Sequence, residues 1–68
     1  MDAKKELTKE EVLVLTEVLK YGSLINVAKH LSMTKSRIYT ISKNIKTKLN
    51  ARNITNAVYL ACKNNYLK

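Results

Sequence analysis

The sequence predicts an all-α domain of four helices. Three observations carry that expectation. Apolar residues recur at spacings of three and four, four separate Ser, Thr or Asn residues stand where a helix would need a cap, and the chain has no Pro and a single Gly. A β-rich or loop-rich build would need more of both residues. Sixty-eight residues make one domain with a modest core, so 1–68 is read as one unit with 1–6 frayed at its start.

The first helix is expected over 9–21. Thr8 can cap it, Glu11 stands three residues on to complete a capping box, and Leu7 and Val12 have the spacing of a hydrophobic staple. Glu10 and Glu11 suit the positive end of the helix dipole. Val14, Leu15, Val18 and Leu19 would face inward, and Gly22 would end the helix. Ser23 then caps a short second helix over 24–31, with Leu24, Val27, Ala28 and Leu31 as its apolar positions. Ser32 and Met33 break the chain. Thr34 caps a third helix over 35–49, which Asn50 can end in the left-handed conformation. Asn53 caps a fourth over 54–65, with Ile54, Ala57, Val58, Ala61 and Cys62 inward.

The distribution of charge says more than its total of +8. All five acids, Asp2, Glu6, Glu10, Glu11 and Glu17, fall in the first 17 residues, and the 51 residues after them carry ten Lys and Arg and no acid. A surface that meets only water mixes its signs. A long stretch stripped of carboxylates suits a partner that would repel them, and a polyphosphate backbone is such a partner. A compositional bias toward Lys and Asn is the plainer account, but it does not explain why Glu stops at 17.

Wound at 100° per residue, the third helix separates its side chains cleanly. Ile38, Ile41, Ile45 and Leu49 fall in one narrow stripe, and Ser36, Thr40, Lys43 and Thr47 fall opposite. Arg37, Asn44 and Lys48 flank one edge of that outer face, and Tyr39 and Lys46 flank the other. Hydrogen-bonding side chains separated by small hydroxyls suit a major groove, and flanking cations suit the phosphate strands beside it. The second and third helices together have the pattern of a helix-turn-helix: small Ala28 lets the axes approach, the turn at Ser32 is short, and Ile38 and Ile41 fasten one helix to the other.

Residues 7–61 resemble, without gaps, the LuxR/GerE-type helix-turn-helix domain. The resemblance runs through Leu7, Thr8, Glu11, Val14, Leu15, Val27, Ala28, Leu31, Thr34, Ile38, Ile45, Lys48, Leu49, Thr55, Ala57, Val58 and Ala61. It departs from the family pattern at Asn26, Arg37, Asn50 and Ile54, and Gly22 is one place late. The resemblance implies a sequence-specific transcriptional regulator that binds double-stranded DNA as a dimer, with the third helix in the major groove and the fourth at the dimer contact. Base-edge contacts would fall on Tyr39, Thr40 and Lys43, to which the helical wheel adds Ser36. Phosphate contacts would fall on Thr34, Arg37, Lys46 and Lys48, with Asn44 and Thr47 beside them.

The fourth helix carries apolar side chains off its inward stripe, at Tyr59 and Leu60, with Tyr66 and Leu67 beyond. A homodimer contact through Tyr59, Leu60 and Lys63 is the preferred reading, and a chain end folded back over Tyr66 and Leu67 is its alternative. Two-fold symmetry then implies an inverted-repeat site. A helix-turn-helix can also act as a protein-interaction module on RNA polymerase or on another regulator, and that is the second functional class the sequence allows.

Other classes find little support. The apolar run at 12–15 is too short for a membrane span and has Glu10, Glu11 and Glu17 around it. Binding at a membrane surface is disfavoured because the third helix's stripe is narrow and lacks Trp or Phe. One cysteine makes no internal disulfide and suits the reducing cytoplasm. His30 has no ligand or base at useful sequence spacing, and Cys62 among apolar neighbours reads as a buried small hydrophobe. No Gly-rich phosphate loop or nucleophile–base pair is present, so no catalysis, metal, cofactor or small-molecule substrate is expected. With seven residues before the cap of the first helix, control is expected through abundance or a partner.

Overall fold

The computed structural model describes residues 6–67; the frayed start expected at 1–6 falls, for residues 1–5, outside them. Four helices occur among the described residues: α1 (Lys9–Tyr21), α2 (Leu24–His30), α3 (Lys35–Leu49) and α4 (Ile54–Lys63). The first and third match the expected bounds. The second ends one residue early and the fourth two, because Leu31 and Asn64 leave helical geometry as C-caps.

Each start is fixed by its own cap. The Thr8 hydroxyl accepts the Glu11 N–H at 3.1 Å while Glu11 Oε1 accepts the Thr8 N–H at 2.9 Å, a complete capping box. Ser23 accepts from Asn26 N–H, Thr34 from Arg37 N–H and Asn53 from Asn56 N–H. The ends are just as local. Gly22 (φ 83) and Asn50 (φ 56) take the left-handed conformation that lets the chain leave its helix. After α2 the same conformation falls on Ser32 (φ 57), and the Met33 N–H turns back to the Ala28 carbonyl at 2.8 Å. That bond closes the tight turn between α2 and α3.

Val14, Leu15, Val27, Ile38, Ile45, Ala57 and Ala61 form the fully enclosed centre, one or two from every helix, with Val18, Ala28, Ile41 and Leu67 around them. Two expectations about burial do not hold, and at the chain end the folded-back alternative does. Leu19 was expected inward and is 57% exposed, since it lies at the margin of the α1 stripe, where α4 leaves an open groove rather than a cover. Cys62 was expected among the core and is exposed, because the inward stripe of α4 runs through Ala57 and Ala61 and turns residue 62 away. Tyr66 and Leu67 are not a free surface. Asn65 (φ 67) reverses the chain after α4, the Tyr66 N–H bonds the Ala61 carbonyl at 2.8 Å, and Leu67 enters the core with Tyr66 packed beside it. Ser42, not expected inside, is 1% exposed.

Among the described residues no helix is long and apolar enough to cross a membrane.

Candidate nucleic-acid interface

The α2–turn–α3 unit sets α3 on the surface. Ile38, Ile41 and Ile45 are buried on one side, and every residue of the opposite stripe, Ser36, Thr40, Lys43 and Thr47, is exposed. Tyr39 is 49% exposed at the margin of that stripe. The four side chains expected to read bases, Ser36, Tyr39, Thr40 and Lys43, therefore share one outward surface. Fifteen residues of helix span roughly 22 Å, enough to run across a duplex groove.

The hydroxyls on this face are partly committed. Thr40 donates to the Ser36 carbonyl at 2.9 Å and Thr47 to the Lys43 carbonyl at 3.0 Å. With its proton used inside the helix, Thr40 presents outward an oxygen that accepts and a methyl group. Those match an exocyclic amine and a thymine methyl. Thr34 is occupied differently: its oxygen accepts the Arg37 N–H at 3.1 Å, leaving its own proton free to donate to an anion.

The two edges of α3 turn out to be electrically unequal. On the edge facing α1, the Arg37 guanidinium donates to Glu10 Oε2 at 2.7 Å, and the Lys48 ammonium donates to Glu11 Oε1 at 2.7 Å. The first pair lies in solvent and contributes ~0–1 kcal/mol. The second is enclosed, with the Glu11 side chain 8% exposed and that of Lys48 29%. Burial by itself raises the Glu11 carboxyl pKa, but the bonds from Lys48 and the Thr8 N–H outweigh it and hold the group below its ordinary value of 4.5. Two residues expected to touch phosphate thus already have carboxylate partners. Asn44, between them on the helix edge, is exposed.

On the other edge, Lys43, Lys46, Thr47 and Asn50 line an open groove of about 420 Å³, closed on its far side by Ala51 and Arg52 from the α3–α4 turn. No acid among the described residues pairs with its three cations. Arg52 has no place in the α3 helical wheel, and its nearness to Lys43 and Lys46 depends on the left-handed turn at Asn50, which reverses the chain beside the helix. The signal available in sequence was Asn50 itself, a C-cap followed within two residues by a cation.

His30 also has a partner. Its Nδ1 lies 2.7 Å from Oε1 of Glu17, whose side chain is 8% exposed, and its ring meets that of Tyr21 at a centroid distance of 4.8 Å. The pair joins α2 to α1 and is structural. No group of three His, Cys, Asp or Glu able to hold a metal ion occurs among the described residues. On α4, Tyr59 is 60% exposed and Lys63 exposed, while Leu60 is half-buried, so the expected dimer contact presents Tyr59 and Lys63 more fully than Leu60.

No protein-family model matches the chain, and no curated protein matches it.

Proposed function

We propose that the protein is a sequence-specific regulator of transcription that binds double-stranded DNA in the cytoplasm, as a helix-turn-helix of the LuxR/GerE type. The observation that carries this reading is the exposed, acid-free face of α3, held outward by three buried isoleucines behind it. In this reading α3 enters the major groove, Ser36, Tyr39, Thr40 and Lys43 meet base edges, and Thr34, Asn44, Lys46 and Thr47 meet the backbone. Two copies joined through Tyr59, Leu60 and Lys63 read an inverted repeat.

The test is selection of binding sites from random duplex DNA, followed by titration of the selected and scrambled duplexes at one moderate salt concentration. Recovery of an inverted repeat is expected. Thr40→Ala and Lys43→Ala should each lower the preference for it by roughly 1–3 kcal/mol, the worth of a good base contact. Equal binding to selected and scrambled duplexes would refute specific readout. A second reading, an interaction module for RNA polymerase or another regulator, draws on the exposed Leu13 and Leu19 of α1. It predicts no duplex affinity and unchanged partner binding in Thr40→Ala.

A further inference from the structure

The ion pairs weigh against a symmetric picture, with cations on both edges of α3 reaching the two phosphate strands equally. Arg37 and Lys48 on the α1 side are matched one for one by Glu10 and Glu11. Lys43, Lys46 and Arg52 on the other side share one groove and have no acid partner among the described residues. Resting on the DNA-binding reading, we propose that this groove holds the phosphodiester backbone of one strand through Lys46 and the unexpected Arg52, with Lys43, directed to base edges, at its rim. The duplex is then anchored chiefly on the edge of α3 nearer the α3–α4 turn.

Three features support a phosphate occupant. The remaining lining, Thr47, Asn50 and Ala51, carries no charge and leaves room for an anion. The groove sits at the C-terminal end of α3, whose dipole counts as about half a negative charge; three full cations outweigh it. The terminal carbonyls are also engaged, since the Ala51 N–H bonds the Lys46 carbonyl at 2.8 Å and the Asn50 N–H bonds that of Thr47 at 3.3 Å. Compensation of the helix dipole accounts for a lysine in the last turn, at Lys46 or Lys48. It does not account for Lys43, more than a turn earlier, or for Arg52 beyond the helix.

Salt dependence of duplex binding distinguishes the edges, because each phosphate neutralised contributes roughly 0.9 to the slope of log affinity against log salt. Lys46→Gln/Arg52→Gln removes two groove cations without touching the base-reading residues. Its slope should fall by about 1.8. Glu10→Gln/Arg37→Gln removes a matched pair, and its slope should fall by less than that of the groove variant. Circular dichroism confirms that both variants remain folded. An unchanged slope in the groove variant, or an equal fall in the pair variant, overturns the proposal.

Amide shifts of the labelled protein titrated with inorganic tripolyphosphate give an independent measure. Shifts gathered at residues 43–52 support the groove as a phosphate site, and shifts absent there or spread evenly over all lysines overturn it. If the wild type binds no duplex at all, the regulator reading fails and this titration alone decides the groove.

Discussion

Replacing Glu11 tests how α1 and α3 are joined. The carboxylate does two things at once: Oε1 closes the capping box on the Thr8 N–H and accepts the Lys48 ammonium from α3. Loss of a cap costs typically ~1 kcal/mol. A hydrogen bond to a charged group contributes ~1.5–3 kcal/mol, and Lys48, 29% exposed, can swing toward water when released, which favours the lower figure. Glu11→Ala should therefore cost about 2.5 kcal/mol, a fall in Tm of roughly 10–20 °C for a domain of this size. Glu11→Gln keeps the box and removes the charge, so it should cost distinctly less. The pH dependence has a definite sign. The folded pKa lies below the ordinary 4.5, so the folded state holds fewer protons than the unfolded one in the acid range. The carboxylate's contribution is complete above the ordinary value and is lost as pH falls through the lowered one. Thermal unfolding of wild type and Glu11→Gln should therefore differ at pH 7 and converge in acid. A Glu11→Ala cost within ~0.5 kcal/mol, the range of ordinary surface substitutions, would refute the reasoning. So would a coupling energy near zero in a cycle with Lys48→Met.

Two further outcomes follow from single contacts. Ser32 sits at φ 57, where a side chain costs ~1–2 kcal/mol and glycine costs nothing extra. Ser32→Gly should stabilise the domain by about 0.5 kcal/mol after the added freedom of the unfolded chain is subtracted, read as a higher urea midpoint with unchanged slope; a lower midpoint would show the turn is held by the serine hydroxyl instead. His30→Ala should cost roughly 1–3 kcal/mol, because it strips the enclosed Glu17 carboxylate of its one hydrogen bond among the described residues. Glu17→Met/His30→Met should recover much of that loss, and a double variant no more stable than His30→Ala would show that the ring stacking on Tyr21 mattered more.

Local chemistry was legible in the sequence and crossings were not. Thr8, Ser23, Thr34 and Asn53 were readable as caps because a cap acts within three residues, and Gly22 and Asn50 because a left-handed C-cap favours those residue types. The outward face of α3 was readable because its apolar stripe is narrow and uniform. Leu19 and Cys62 were misjudged for one shared reason: each lies at the margin of its stripe, where the approach angle of the next helix decides burial. The Glu17–His30, Glu10–Arg37 and Glu11–Lys48 pairs span 13, 27 and 37 residues, separations that no local pattern reports. Arg52 was missed because its role depends on where the turn after α3 places it.

Those pairs change what the charge distribution means. The absence of acids after residue 17 first argues for an anionic partner, as if every later cation were available to it. Two of those cations, Arg37 and Lys48, instead meet Glu10 and Glu11, while the His30 ring meets Glu17, so α1 supplies the counter-charge of one edge of α3. Part of the asymmetry is thus internal to the fold and needs no partner. A bias toward lysine cannot account for the remainder, because bias has no way to choose an edge. Apart from Lys35 at the helix start, what is left unmatched on α3 and its following turn is concentrated: Lys43 on the outer face, and Lys46 and Arg52 beside it in one groove. The α1 edge, neutral pair by pair, adds no comparable attraction. A polyanion is then directed toward the groove edge by the unmatched charge there, which gives α3 a preferred side as well as a preferred face.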